Sequence, residues 1–177
     1  MAFGLEVGNV KDLRIQIEEV LAEAERIAGA LDEAALARRP ARGGWSIAEC
    51  LDHITLSTVT FCGAIDAVKA GAPVGGGPAE LGLMGRVVLW VMEPPVRVVK
   101  AKAPPEMMPR TDGRAVLDEF RAVHRELLTQ RLPEYLRLDP NRVRVKTPMG
   151  SGLRLGLLLQ VIPAHARRHL WQAARVL

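Results

Sequence analysis

Aromatic residues are scarce in this chain of 177 residues, at 4% of the sequence: three Trp, one Tyr and three Phe. Sandwiches and barrels of short strands draw on aromatic and β-branched side chains. The plentiful Leu, Val and Ala suit an aliphatic core on helices better. Cysteine is nearly absent too, with only Cys50 and Cys62. If both lie on one helix, as argued below, they stand roughly 18 Å apart along its axis, too far for a mutual disulfide. No apolar run is long enough to span a bilayer, since the longest, Leu81 to Met92, is short and contains Arg86. Nothing near the N-terminus resembles a charged segment followed by an apolar signal core. The expectation is therefore a protein of the reducing cytoplasm, without membrane insertion. The sequence also lacks a glycine-rich phosphate loop, a Gly-x-Ser-x-Gly elbow and a Cys-x-x-Cys pair, which removes the commonest nucleotide, serine-hydrolase and redox readings.

What is present is ordinary globular composition, 49% hydrophobic and 25% charged, which argues against wholesale disorder. The formal net charge is +4, and the excess is uneven. From Arg131 onward nine Arg or Lys face two acids, Glu134 and Asp139. Such a surface attracts anions. The aromatic interleaving that stacks bases is missing there, so nucleic acid is disfavoured as a partner. The length fits one domain over residues 1–177.

Hydrophobic periodicity marks four long helices. Val10, Leu13, Ile17, Val20, Ala24, Ile27 and Leu31 recur at alternating spacings of three and four, one stripe of a first helix. The second opens on a capping box, Ser46 with Glu49, which Trp45 and Cys50 complete as a hydrophobic staple. Its stripe is Ile47, Leu51, Ile54, Thr58, Phe61, Ile65 and Val68, and it should stop near Gly71. A short extra helix fits up to Met92, before Pro94-Pro95, and an extended connection then crosses the bundle. A third helix is predicted from Asp112, with Thr111, to Arg131, with Pro133 just beyond. Val143 and Val145 suggest a short exposed strand or an irregular turn, and 147–152 read as loop. The last helix starts near Leu153 and carries Leu155, Leu158, Ile162, His165, His169, Gln172 and Val176 on one stripe, with a kink expected at Pro163. The architecture implied is all-α, a four-helix bundle with a long crossover connection.

The chemistry concentrates in histidine. His165 and His169, four residues apart on a helix, bring both imidazoles to one face, where both can reach one ion. They also lie on a seam that otherwise holds Leu and Ile, where a neutral imidazole needs a partner. A metal is such a partner. The intervening Ala166-Arg167-Arg168 contains no Glu, so the general base of the zinc-protease helix is absent, and both arginines are expected to project into solvent. An open catalytic site needs a third ligand, and the pattern leaves two rivals: His53, flanking the stripe of the second helix, and His124, on the inner edge of the third.

The run Gly44-Trp45-Ser46-Ile47-Ala48-Glu49-Cys50-Leu51-Asp52-His53-Ile54 resembles the signature of the DinB-like (DinB/YfiT) superfamily of metalloenzymes. Ala164-His165-Ala166-Arg167-Arg168-His169-Leu170-Trp171-Gln172 is similar to its second signature. The two lie in the right order more than a hundred residues apart. The resemblance implies a four-helix bundle with a long crossover, often homodimeric, and a divalent ion on three histidines. Carried over by position, these are His53, His165 and His169. Ni²⁺, Zn²⁺ or Fe²⁺ each suit three imidazoles. His124 has no counterpart among those ligands, and Thr147-Pro148 stands where relatives often carry His-Pro.

By the same resemblance the expected activity is that of a low-molecular-weight-thiol-dependent S-transferase or isomerase acting on a small molecule. The alternatives are a metal-dependent hydrolase and a non-catalytic, metal-stabilised or metal-sensing bundle. Ser46, Glu49 and Trp45 have sufficient structural roles in the cap, and no general base can be named. Gln172 either hydrogen-bonds within the site or ends the buried stripe. Arg144, Lys146 and Arg154 are the basic residues to test against an anionic thiol.

Overall fold

In the computed structural model, residues 10–41, 43–95, 102–110, 115–148 and 150–177 are described. Four long helical segments form the frame: α1 (Val10–Ala28), α3 (Ile47–Lys69), α5 (Val116–Glu126) with its continuation, and α7 (Leu155–Ala173). Each of α1 and α3 packs on both α5 and α7, so α1 and α3 occupy opposite corners of the bundle. The all-α reading from periodicity holds. α4 (Gly82–Met92), the short helix expected before the proline pair, lies along α7 within the long connection from α3 to α5.

Local chemistry explains where the helices begin and end. The Ser46 hydroxyl accepts from the Glu49 N–H at 3.1 Å, and the Glu49 carboxylate accepts from the Ser46 N–H at 2.9 Å. This is the predicted capping box, and it fixes the start of α3 nearly two turns before His53. Trp45 and Cys50 join the same apolar cluster, as a staple requires. Gly71 stops α3 with a φ of 75°, a conformation that costs glycine little.

Several boundaries differ from expectation. A short helix α2 (Glu33–Ala37), capped by Asp32, precedes Pro40. The third helix does not end at Arg131. Leu127–Arg131 widens into a π turn and the chain runs on as α6 (Leu132–Tyr135). Pro133 accounts for this, because a proline lacks the donor an α-helix would use and a π bulge relieves that mismatch. The predicted cap at Thr111 and Asp112 lies outside the described residues. Within 147–152, read as loop, Thr147 closes one strand and Gly150 opens another, β1 (Arg144–Thr147) pairing antiparallel with β2 (Gly150–Arg154), with Val145 opposite Leu153. Val145 is fully buried rather than exposed, and Val143 nearly so. Burying the Val145 and Thr147 face of β1 leaves Arg144 and Lys146 outside, the alternation that strands impose.

The apolar interior divides into two clusters. One gathers Leu13, Ile17, Phe61, Leu127, Tyr135, Leu158 and Ile162; the other gathers Val20, Ala24, Ile27, Leu51, Ile54, Phe120 and Leu170. Between them on α3 stand Thr55, Ser57 and Thr58, and on α5 His124, all buried. The Thr55 hydroxyl is satisfied by the Leu51 carbonyl at 2.9 Å, whereas that of Ser57 has no partner among the described residues. At this level, where packing changes from one cluster to the other, α3 and α7 present His53 and His165.

Candidate metal centre

Position 53 falls on the α7-facing side of α3, and 165 and 169 on successive turns of α7. The three rings close on one another, with centroids 5.0 Å apart for His53 and His165, 4.4 Å for His53 and His169, and 4.6 Å for His165 and His169. One ring nitrogen from each lies within 4.8 Å of the other two. The Nε2 atoms of His53 and His165 are 3.3 Å apart. Two imidazole nitrogens sharing a tetrahedral ion, each at the usual metal–nitrogen distance, stand roughly 3.3 Å apart. The donor set fits a divalent cation, and the three histidines can together hold one.

Hydrogen bonds fix two of the tautomers. His53 Nδ1 donates to the Met107 carbonyl at 2.6 Å, leaving Nε2 bare toward the other rings. His169 Nδ1 donates to the Gln172 amide oxygen at 3.2 Å, with the same effect. Such outer partners orient metal-binding imidazoles and raise their basicity. Burial lowers the His53 pKa, against the opposing pull of the Met107 carbonyl and the Asp52 charge. For His165, burial and then the proximity of His53 push the value down to about 3. His169 falls well below its ordinary value, again through burial first and the neighbouring imidazoles second. All three rings are therefore neutral at pH 7, the form in which a lone pair is available to an ion.

The Met107 carbonyl belongs to the segment whose sequence predicts an extended connection. It is a 3₁₀ turn (Pro105–Met107) packed on α3, with Met107 itself 1% exposed. A second clamp lies one residue from His53. The buried Asp52 carboxylate accepts from the Arg110 backbone N–H at 2.6 Å and from the Arg110 guanidinium at 3.2 Å. Asp52 thus ties down the far end of the turn whose carbonyl orients His53. The only sequence trace of this arrangement is an aspartate adjoining a histidine on a helix that otherwise buries apolar side chains.

The rival ligand is excluded by position. His124 is buried on α5, its Nδ1 donating to the Phe120 carbonyl at 2.8 Å and its Nε2 facing the Thr58 hydroxyl at 3.4 Å. It stacks on Phe120 at 4.0 Å and stands outside the trio. Burial lowers its pKa to about 4.

A cavity of about 490 Å³ opens over the three rings, within the range of small-molecule sites. Trp45, Val91, Met92, Pro104, Met107, Lys102, Arg168 and Gln172 are among its walls. Trp45 leans on His53 at 4.7 Å and on His169 at 5.6 Å between centroids. The two arginines between the histidines are not simply solvated. Arg167 pairs with Glu93 just beyond α4 and with Gln16 on α1, and Arg168 faces the cavity. By contrast Arg144, Lys146 and Arg154 stand on the hairpin and line no part of it.

The family model of the DinB superfamily matches residues 16–173, nearly the whole chain. The chain belongs to the DinB superfamily. No curated protein and no solved structure matches it. In this DinB protein the two stretches that carry the resemblance, around Trp45–His53 and His165–Gln172, are the ones that meet at the cavity floor. The first contributes one imidazole and the Trp45 wall; the second contributes two imidazoles, Arg168 and Gln172. No helix among the described residues is long and apolar enough to cross a membrane.

Proposed function

We propose that this DinB protein holds one divalent metal ion on His53, His165 and His169 and is a metal-dependent enzyme that uses a low-molecular-weight thiol, as an S-transferase or isomerase. The observation that carries the reading is the convergence of three neutral imidazoles at the floor of an open, substrate-sized cavity, rather than in a closed structural site. Ni²⁺, Zn²⁺ and Fe²⁺ all suit such donors. A bound ion supplies Lewis acidity, which lowers the pKa of a thiol or water placed beside it.

The residues of the chain favour the thiol over water. A hydrolase would draw on a general base near the ion, yet no Asp, Glu or Tyr lines the cavity among the described residues. A thiolate needs no such base, being itself the nucleophile. Nor can the protein supply that thiolate. Burial pushes the Cys50 thiol up to about 12 and the Cys62 thiol up to about 11, and neither lines the cavity. The thiol must therefore arrive as a small molecule. Trp45, Met92 and Met107 give the cavity apolar walls, and the bonds to the Met107 carbonyl and Gln172 keep His53 and His169 aimed at the ion.

The natural assembly in this reading is a cytoplasmic homodimer. Leu83, Met84, Val87 and Trp90 form an exposed apolar face on α4, of the kind that association covers.

Elemental analysis of the purified protein, together with thiol titration of its Co²⁺-substituted form, tests the proposal. One equivalent of metal, lost in His165→Ala, and a thiol-dependent change in the visible spectrum are expected. Full metal content in His53→Ala, His165→Ala and His169→Ala would refute the site. Thiol-independent cleavage of activated esters would favour the hydrolase.

A further inference from the structure

The basic residues of the hairpin take no part in the cavity, and the structure gathers them on one face. On β1 Arg144 and Lys146 are exposed while Val145 and Thr147 are buried, and Arg142 is exposed two residues earlier. On β2 Arg154 stands opposite Arg144 in the register. Side chains on one face of a strand recur about every 7 Å, and opposite neighbours stand about 5 Å apart. Four cations therefore crowd one face of a two-stranded ladder, where like charges set opposite each other are destabilising. None of the four is ion-paired among the described residues. The Arg144 guanidinium donates to the Gly152 carbonyl at 3.1 Å, and that of Arg154 to the Glu80 carbonyl at 3.1 Å. These neutral acceptors steady both groups without offsetting their charge, and each keeps further N–H donors. Asp139, the nearest acid before Arg142 in the chain, accepts instead from the backbone N–H groups of Asn141 and Arg142.

We propose that this face docks the protein on an anionic lipid surface, with Arg142, Arg144, Lys146 and Arg154 receiving the phosphates of the headgroups. A planar array of phosphates engages all four cations together and relieves their mutual repulsion, whereas a small anion reaches one or two. Nucleic acid fits the face less well. Residues 142–154 contain no aromatic side chain to stack on a base and no amide to read one, and a flat ladder has no helix to lay in a groove. A protein partner fits poorly too, because interfaces concentrate apolar side chains at their centre and deplete lysine. The contact lies at headgroup level and calls for no membrane-spanning helix. It involves none of the histidines, so it does not rest on the metal-site reading.

Cosedimentation of the purified protein with vesicles tests this, using phosphatidylcholine alone and phosphatidylcholine mixed with phosphatidylglycerol. Binding is expected only to the mixed vesicles, with a steep loss as salt rises. Arg142→Gln, Arg144→Gln and Lys146→Gln should each weaken it about fivefold. All three side chains are exposed, and an unchanged urea midpoint checks that each variant folds. Arg38→Gln is the charge-matched control: Arg38 is exposed at the end of α2, whose Leu36 packs in the other apolar cluster, and the variant should bind as wild type. Equal binding to the two vesicle types would overturn the proposal, as would equal loss in Arg38→Gln and Arg144→Gln. Preference for a DNA or RNA duplex over the mixed vesicles would give the face to nucleic acid and overturn it as well. Metal content and thiol titration report on the other reading separately, so either can fail while the other stands.

Discussion

Asp52 offers the sharpest check on how the three-histidine site is held. Its carboxylate is 1% exposed and takes two bonds from Arg110, one from the backbone N–H at 2.6 Å and one from the guanidinium at 3.2 Å. The two differ in weight. The Arg110 side chain is 63% exposed, so its ion pair contributes about 0–1 kcal/mol. A buried carboxylate accepting a backbone N–H contributes about 1.5–3 kcal/mol. Asp52→Asn keeps an oxygen for the N–H but removes the charge and turns two donors toward the guanidinium, a loss of about 2 kcal/mol. That loss falls on residues 105–110, whose Met107 carbonyl orients His53. If the segment must be in place for the ion to bind, metal affinity drops about 10- to 30-fold, the scale on which outer partners of metal ligands act. Competition against a chromophoric chelator measures it directly. Arg110→Gln is the control, because it spares the backbone N–H and should shift affinity by no more than about fivefold. Wild-type affinity in Asp52→Asn would refute the reasoning, and so would equal damage from Arg110→Gln.

Two further expectations concern the scaffold. His124 is buried and neutral, with a pKa lowered to about 4 from an ordinary 6.5. The unfolded chain therefore takes up its proton first. Stability is full above about pH 6.5 and is lost as pH falls toward 4, by at most about 3 kcal/mol from this group. Urea unfolding across that interval should show a shallower decline in His124→Phe, and an unchanged slope would contradict the assignment. Gly156, at the start of α7, leaves no room for a side chain: an added Cβ would stand 2.5 Å from the Ala79 Cβ and 3.1 Å from that of Pro140. Gly156→Ala should cost about 1–3 kcal/mol through overpacking, seen as a lower urea midpoint with an unchanged denaturant slope, and a wild-type midpoint would show that the connection before α4 yields freely.

The parts of this molecule legible in its sequence are those governed by local rules. The apolar spacing of α1, α3 and α7 depends on helical period alone, and the Ser46/Glu49 box and Gly71 on backbone chemistry within a few residues. The pairing of His165 with His169 is equally local. His53 was not resolvable from His124 by periodicity, because both lie beside a stripe. What separates them is which neighbour each helix face meets, a property of the assembled bundle that only the family resemblance supplied in advance. The π turn escaped because Pro133 reads as a terminator. The chain instead runs on past it, and the Tyr135 hydroxyl beyond donates to the Cys62 carbonyl and the Asp66 carboxylate on α3. Val143 and Val145, before and within β1, looked exposed because their basic neighbours dominate the pattern. Arg168 looked solvated because a charged residue between two turns has no local reason to face a cavity walled by α4 and residues 102–107.

The Met107 carbonyl has a consequence for how variation reads out at this site. It is a main-chain group, identical in every amino acid, so no codon change at 107 deletes it. A volume-conserving exchange such as Met107→Leu alters only the buried packing and leaves the orienting acceptor in place. A substitution scan would accordingly score position 107 as ordinary core and miss its part in orienting His53. Sensitivity would appear instead at Asp52 and at the length of the segment, where inserting or deleting a single residue between 104 and 110 shifts the carbonyl out of reach of His53. The inheritance of this contact lies in the path of the backbone rather than in any letter of the sequence.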